Sequence, residues 1–189
     1  MKIIEWKQFL EDGFSHDGKS SSMTVGIFDG VHIGHQALLK RIILQDSGKM
    51  SVGKTPVVVT FRHNHKIESG NILTFKQRLD IFESMGIQIT IVIDFTEAFR
   101  KMQGIEFLKI LLKHGNLGFF AVGSGFRCGY QQDTDAEAIQ KFFALHNVPV
   151  EIVPKVMEGS LPVSSSRIRS AISVGDIELA QKMLGRTYP

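Results

Sequence analysis

Two histidines spaced three residues apart lie in a segment that could bind phosphate. His32 and His35 follow a Val/Ile/Phe-rich stretch and precede an amphipathic pattern, so we expect them at a strand-to-helix turn. A helix N-terminus exposes unpaired amides and a partial positive charge, which attract anions. Imidazoles there can donate hydrogen bonds to phosphate oxygens while negative charge builds during group transfer. Gly30 and Gly34 allow a tight turn and a close approach of the backbone to a ligand.

Spacing alone leaves other interpretations of this histidine pair open. The two residues are equally well explained as helix-capping or surface histidines, since a helix N-terminus is a generic anion site. A zinc site would combine them with His63 and His65, but it lacks cysteine partners and a recognised ligand pattern. The pair is therefore a candidate phosphate site rather than a metal site.

A second candidate phosphate site opens a helical pattern near the C-terminus. Ser164, Ser165 and Ser166 are followed by two arginines, of which Arg169 falls one helical turn into the pattern. Hydroxyl and amide donors followed by guanidinium forks suit a polyphosphate. An ordinary serine N-cap with exposed arginines would give the same pattern.

The segment Gly48–Thr55 matches the spacing of a Walker A phosphate loop. Such a loop needs a strand before it and a helix after it. Here a helical pattern precedes the segment, and Pro56 with three valines begins a strand after it. We therefore interpret the match as a surface loop that joins a helix to a strand.

The rest of the chain alternates short apolar runs with helical patterns. The predicted strands are 23–28, 56–61, 88–95, 118–122 and 148–153. The predicted helices cover about 35–44, a stretch after the N-cap Thr74 that ends at Gly86, about 105–114, about 135–146, 165–173 and 177–184. A Gly/Ser-rich loop is predicted over 12–22. Alternation of this kind predicts an α/β domain with a parallel sheet of about five strands, whose ligands bind beyond the strands' carboxyl ends.

Composition indicates one globular domain. The chain has 189 residues, of which 43% are hydrophobic and 22% charged. The net charge of +3, from scattered basic residues, does not favour a nucleic-acid partner. The single cysteine, Cys128, excludes an intrachain disulfide and favours a reducing compartment. No signal peptide and no apolar run of membrane-spanning length is apparent, so we expect a cytoplasmic protein without a membrane partner.

Both candidate sites resemble signatures of one known superfamily. Gly26-Ile-Phe-Asp-Gly-Val-His-Ile-Gly-His35 is similar to the first signature of the His-x-Gly-His nucleotidyltransferases, in the long form found in the FMN adenylyltransferase module of bacterial bifunctional riboflavin kinase/FAD synthetases. Val163–Arg169 resembles the second signature, Ile-Ser-Ser-Thr-x-x-Arg. Gly175–Ala180 and Leu184–Tyr188 also resemble that flavin family. The resemblance covers essentially all of the chain from Met23 to Tyr188.

This resemblance implies a Rossmann-like fold and adenylyl transfer from ATP, as a magnesium complex, to FMN, giving FAD and pyrophosphate. It implies catalytic roles for His32, His35, Ser165 and Arg169, and a single nucleotidyltransferase domain over residues 1–189 with no riboflavin kinase domain in this chain. No protein metal ligand is expected, and the oligomeric state is left open. Nucleotide binding is expected from Gly26, Phe28, Asp29, Gly30, Gly34, Ser164 and Ser166. Asp29 either orients its turn or reaches magnesium through water.

The acceptor side departs from the family pattern. Where the family has Thr-Phe-Glu-Pro-His-Pro, this chain has Thr60-Phe-Arg-His-Asn-His65, and where it has Gly-x-Asp/Asn-Phe-x-Phe-Gly, this chain has Gly123-Ser-Gly-Phe-Arg-Cys-Gly129. Acceptor contacts are expected from Phe61, Gly125, Phe126 and Arg127. The departures leave two alternatives open: another phosphorylated acceptor, such as a phosphopantetheine or a nicotinamide nucleotide, or a non-catalytic module that binds flavin or adenine nucleotide.

Overall fold

The computed structural model describes residues 1–14, 18–47, 53–63 and 70–188. Within these ranges it has ten strands: β1 Lys2–Glu5, β2 Ser21–Val25, β3 Thr55–Phe61, β4 Ile89–Ile93, β5 Leu117–Gly123, β6 Arg127–Cys128, β7 Thr134–Asp135, β8 Val150–Val153, β9 Met157–Glu158 and β10 Leu161–Pro162. The α-helices are α1 Trp6–Asp12, α2 Ile33–Ile43, α3 Phe75–Met85, α4 Glu97–Arg100, α5 Gly104–His114, α6 Ala136–Ala144, α7 Ser165–Ser173 and α8 Ile177–Leu184.

The main sheet confirms the predicted α/β architecture. Six strands run in the order β1-β4-β3-β2-β5-β8, and every neighbouring pair is parallel. The chain moves outward from β2 through β3 to β4 and then returns to the other side of β2 with β5. The strand order therefore reverses between β2 and β5, and their carboxyl ends form the topological switch point at which such sheets bind ligands.

Each face of the sheet is covered by its own hydrophobic cluster. One cluster contains Phe9 of α1, Leu108 of α5 and Phe143 of α6, and the other contains Leu39 of α2 and Met183 of α8. Neighbouring residues of one strand point into different clusters, as for Val57 and Val58 of β3 or Phe119 and Phe120 of β5. This two-sided burial is why the central strands read as continuous apolar runs.

The predicted position of the first buried strand was wrong at both ends. The prediction was 23–28, whereas β2 spans Ser21–Val25 and Phe28 lies outside it with a φ of 55°. Ser21 and Ser22 are fully buried, because their hydroxyls donate to the carbonyls of Gly115 (2.6 Å) and Ile42 (2.7 Å). The predicted 12–22 loop therefore ends earlier than expected, and residues 15–17 of it lie outside the described residues.

The helix predictions are confirmed within one or two residues. Thr74 caps α3 through a reciprocal bond with Gln77, and Gly86 ends it in the left-handed conformation. Helix α2 begins at Ile33 rather than at about His35. The edge strand β1 was not predicted, and it makes six strands in the main sheet where about five were expected. Helices α1 and α4 and the two-residue strands β6, β7, β9 and β10 were not predicted either. Among the helices described here, none has the length and apolar character needed to cross a membrane.

Candidate active site

The histidine loop, residues 26–32, connects β2 to α2 at the switch point. His32 is the N-cap of α2, and its Nδ1 accepts a hydrogen bond from the amide of His35 (3.2 Å). The two imidazole rings stack with centroids 3.6 Å apart and an interplanar angle of 16°. A Cβ at Gly34 would lie 3.2 Å from Nδ1 and Cε1 of His32, so glycine gives this ring room over the first turn.

Burial keeps both histidines neutral near pH 7. His32 is only 6% exposed, and desolvation by burial is the largest cause that lowers its pKa from 6.5 to about 4, with a smaller contribution from the positive charge of Arg186. Burial, and then the neighbouring His32, lowers the pKa of His35 well below 6.5. Since Nδ1 of His32 accepts a hydrogen bond, we assign its proton to Nε2, which is then a donor. Nδ1 of His35 is buried and has no hydrogen-bond partner among the described residues.

The backbone of the histidine loop is strained. Phe28, Gly30 and Val31 have φ values of 55°, 81° and 39°, and a β-branched residue such as Val31 rarely adopts a positive φ. The amide of Val31 donates to the carbonyl of Phe28 (3.0 Å), which closes a tight turn. The Phe28 ring is 1% exposed and makes edge contacts with His35 and Phe82, so it packs the His35 ring against the core.

Asp29 joins the two motifs, which lie almost 140 residues apart in the sequence. Its carboxylate accepts hydrogen bonds from the Ile72 amide (2.9 Å) and from Nη1 of Arg169 (2.6 Å). Its carbonyl accepts one from the hydroxyl of Ser165 (2.8 Å). These contacts support the turn-orienting role of Asp29, one of the two roles that its position allows.

The serine motif begins α7 as its residue types suggest. Ser164 is the N-cap, and its hydroxyl accepts from the amide of Arg167 (3.2 Å). Nη2 of Arg169 contacts the Ser166 hydroxyl (3.3 Å), and the Arg169 side chain keeps 21% of its area exposed. The N-terminus of α7 therefore meets the histidine loop, and the structure brings the two sets of predicted nucleotide-binding residues together.

Predicted acceptor residues lie at the same edge of the sheet, but they are less enclosed. Phe61 ends β3 and packs against Phe95 and Phe99. The next residue, Arg62, bonds to the carboxylates of Glu5 (2.7 Å) and Asp94 (2.9 Å). An arginine thus pairs with neighbouring acids at the position where the family pattern has glutamate.

The second acceptor segment follows β5. Gly125 is exposed, and a Cβ there would lie 3.3 Å from Cε of Lys155. Phe126 is half-buried against the core. Arg127 is exposed in β6 and lies 4.0 Å from the carboxylate of Asp135. Burial raises the pKa of the Cys128 thiol to about 12, so the thiol is protonated near neutral pH.

Two arginines outside the recognised motifs also contact this region. Arg78 of α3 and Arg186 after α8 donate to backbone carbonyls of the histidine loop. Sequence reasoning did not select either residue, because their partners are backbone atoms that lie far away in the sequence. The one available signal for Arg186 was its place in Leu184–Tyr188, the segment that resembles the flavin family.

Two surface depressions lie outside the predicted site. Depressions of about 300 and 440 Å³ are lined by residues around Met85 and around His114, and no predicted site residue lines either of them. Among the described residues, no group of three or more His, Cys, Asp or Glu side chains could hold a metal ion. His65 of the rejected zinc alternative lies outside the described residues.

The sequence profile of FAD synthetase matches residues 15–167. The chain belongs to the FAD synthetase family. A bifunctional riboflavin kinase/FMN adenylyltransferase from Buchnera aphidicola (subsp. Schizaphis graminum) is 30% identical over 177 residues, which cover 89% of this chain and 56% of the relative. An FAD synthetase from Listeria monocytogenes is 26% identical over 186 residues, which cover 91% of this chain and 71% of the relative.

A solved structure supports the same family fold. The crystal structure of a protein described as a macrolide-efflux protein from Streptococcus pneumoniae is 26% identical and superimposes with a TM-score of 0.84. The match covers 100% of this chain and 61% of that one. The chain spans between 54% and 60% of the length of the first three curated relatives that it matches.

Proposed function

We propose that this FAD synthetase family member transfers an adenylyl group from ATP to FMN. A phosphate oxygen of FMN attacks the α-phosphorus of ATP, a new phosphorus–oxygen bond forms, and the bond from the α-phosphorus to the bridging oxygen breaks. The products are FAD and pyrophosphate. No protein nucleophile takes part, so positioning and electrostatic stabilisation provide the catalysis.

One observation carries the proposal: the neutral histidine pair and the serine–arginine motif meet through Asp29 at the switch point. The Nε2–H of His32 donates to phosphate oxygens of ATP, and it does so without a change in protonation because burial lowers the pKa of His32 to about 4. Helix α7 presents its N-terminus and Arg169 to the departing pyrophosphate. A Cβ at Gly26, Gly30 or Gly34 would lie 3.0–3.2 Å from the side chains of Phe28, Ile72 and His32, so these glycines allow the loop to pack closely around the histidines.

Magnesium enters this proposal as part of the ATP substrate. The described residues contain no cluster of acidic and histidine ligands, and Asp29, the acid of the histidine loop, already pairs with Arg169. In the proposed reaction magnesium arrives with ATP, held by phosphate oxygens and water. The metal, when bound, neutralises charge on the phosphates, and the residues named above orient them.

The direct test is incubation with magnesium, ATP and FMN, followed by chromatographic separation of FMN from FAD. Formation of FAD and pyrophosphate in equal amounts is the expected result. The reverse reaction from FAD and pyrophosphate provides a second measurement. No FAD in either direction, from protein that is folded and binds ATP, would contradict the proposal.

The altered acceptor segments require a parallel comparison. Arg62 and Gly125 stand where the family pattern has glutamate and a polar residue, so the same assay is repeated with 4′-phosphopantetheine and nicotinamide mononucleotide. Faster turnover of one of these would support adenylyl transfer to a different acceptor. Binding of ATP and FMN with no turnover of any acceptor would identify a nucleotide-binding module instead.

A further inference from the structure

Three backbone carbonyls of the histidine loop, those of Ile27, Gly30 and Val31, accept hydrogen bonds from side chains that belong to neither phosphate motif. The first is Arg78 of α3, which is 3% exposed. Its Nη1 donates to the carbonyl of Ile27 (2.5 Å), and its Nη2 donates to the carbonyls of Phe61 and Arg62 (3.0 Å each). One guanidinium therefore ties the histidine loop to the end of β3.

The second side chain is Arg186, which follows α8 at the other end of the domain. Its Nη2 donates to the carbonyl of Gly30, and its Nη1 donates to the carbonyls of Val31 (3.0 Å) and Leu184 (3.2 Å). Gln36 of α2 bridges the same two carbonyls, of Val31 and Leu184, at 2.9 and 2.8 Å. The C-terminal segment is thus fastened to the loop that places His32.

The strain in this loop explains why such restraints are needed. Non-glycine residues at positive φ cost on the order of 1–3 kcal/mol each and persist only where their surroundings enforce the conformation. Phe28 and Val31 are two such residues within one turn of His32. Arg78 and Arg186 bond to carbonyls on both sides of this turn, so between them they oppose its relaxation.

We propose that Arg78 and Arg186 are positioning residues for adenylyl transfer, which hold the backbone of residues 27–31 so that Nε2–H of His32 is aimed at the bound phosphates. This inference rests on the proposed function for its kinetic consequence, but its structural consequence can be measured without any substrate. A planar guanidinium can donate to several carbonyls in fixed directions, whereas a lysine ammonium cannot reproduce this fork.

Arg186→Lys is the central variant, because it keeps the positive charge and removes the fork. We expect kcat for FAD formation to fall about 10- to 100-fold, as for a small misplacement of a catalytic group, while KM for FMN changes less than about threefold. Arg186→Met removes the charge as well and should show at least the same loss. Arg78→Lys should also lower kcat if it folds. If it does not fold, the Arg186 variants alone test the proposal.

The matched control is Arg41→Met. Arg41 is 47% exposed at the end of α2 and pairs with Glu151 (3.0 Å), away from the histidine loop. This variant should keep kcat within about twofold of wild type, since an exposed ion pair contributes little. Circular dichroism and thermal melting confirm that each variant is folded.

The second readout is the tautomer of His32, measured by nitrogen-15 NMR on the substrate-free protein. The wild type should show the proton on Nε2, and Arg186→Lys should show a mixture because Nδ1 no longer stays aligned with the His35 amide. Wild-type kcat in the folded Arg186 variants would overturn the proposal, and so would an unchanged His32 tautomer. If wild type makes no FAD, the proposed function fails, and the tautomer measurement alone decides the positioning role.

Discussion

The histidine loop and the acceptor segments lie at the same edge of one sheet but are built differently. In the loop, the carbonyls of Ile27, Asp29, Gly30 and Val31 all accept side-chain hydrogen bonds, and His32 is 6% exposed. On the acceptor side, Arg62 uses ion pairs to carboxylates whose side chains are more than half exposed. Gly125 offers no side chain at all.

The two regions differ in how firmly their groups are held in the absence of a ligand. Buried, mutually bonded groups keep their geometry without a ligand, which suits contacts to a transition state. Exposed ion pairs are screened by water and contribute about 0–1 kcal/mol, so they impose little geometry. We infer that the histidine loop and the N-terminus of α7 are preorganised. The acceptor segments are where this chain differs from its family.

The largest effect should come from the two histidines of the preorganised region. His32→Ala or His35→Ala should lower kcat about 10²–10³-fold, because each removes a group aimed at charge that develops in the transition state. FMN affinity should change much less. Steady-state kinetics and FMN titration by fluorescence quenching measure both quantities, and His146→Ala, at an exposed histidine near the end of α6, is the control. Unchanged rate constants in both variants would contradict the assignment of the pair.

The second effect is a pH dependence of stability that comes from the burial of His32 in the histidine loop. Burial lowers the pKa of His32 from 6.5 to about 4, so between these values the unfolded chain binds more protons than the folded one. This contribution is complete above pH 6.5 and is lost as the pH falls toward 4, by up to about 3 kcal/mol. Denaturant unfolding at about pH 7.5 and pH 5 should show a smaller difference for His32→Gln than for wild type.

An exposed histidine again provides the control for this measurement. His146→Gln should lose as much stability as wild type over the same pH range, because only its partner ring Phe142 is disturbed. If His32→Gln loses as much as wild type, burial of His32 does not produce the pH dependence.

A smaller effect should come from the acceptor segment that follows β5. Gly125→Asn should tighten FMN binding by up to about tenfold, since one added hydrogen bond contributes about 0.5–1.5 kcal/mol. The structure allows the change: Gly125 does not have a positive φ, and the nearest obstacle is the flexible end of Lys155. Fluorescence titration compares it with Ser124→Asn, which adds the same amide one residue away.

The aspartate variant sharpens this test. In Gly125→Asp the new carboxylate would lie beside the ammonium of Lys155, because a Cβ at position 125 is only 3.8 Å from its Nζ. The pair would withdraw the carboxylate from the ligand, so we expect a smaller gain than with asparagine. Tight FMN binding by wild type and its loss in Gly125→Asn would indicate a contact that depends on glycine.

Local signals explain which parts of this fold could be predicted. Thr74 and Gly86 predicted the two ends of α3 from the sequence alone, because a helix cap is formed by residues close together in the chain. Strand β1 has one buried residue in four and pairs only with β4, so its alternation was too short to recognise. Its place in the sheet depends on a partner almost 90 residues away.

The candidate site shows the same division. The histidine and serine–arginine motifs were found because each is contiguous and meets a helix start. Arg78 was missed because a guanidinium that binds distant backbone carbonyls leaves no local pattern in the sequence. Arg186 was not selected although it lies in Leu184–Tyr188, the segment that resembles the flavin family. Ser21 and Ser22 were assigned to a loop for a related reason: the carbonyls that satisfy their hydroxyls belong to Gly115, which follows α5, and to Ile42 of α2.

The smallest effect is expected from Lys54→Ala, which should leave ATP affinity unchanged. Residues 48–52 of the Walker-like segment lie outside the described residues, but its neighbours fix its context. Helix α2 and a 3₁₀ turn precede it and β3 follows it, which is the reverse of a phosphate loop. The Lys54 amide donates to the carbonyl of Gln45 (3.1 Å), and its side chain lies beside Gly118 at the start of β5.

Distance makes this prediction sharp. Lys54 precedes the first residue of β3, whereas the histidine loop and the acceptor segments lie at the carboxyl ends of the strands. Seven residues of strand separate these edges by about 20 Å, which exceeds the reach of a lysine side chain. Isothermal titration of ATP into wild type, Lys54→Ala and Arg169→Ala gives the comparison. A tenfold weakening in folded Lys54→Ala would mean that nucleotide binds at the amino edge, and the assignment of the carboxyl edge would then be wrong.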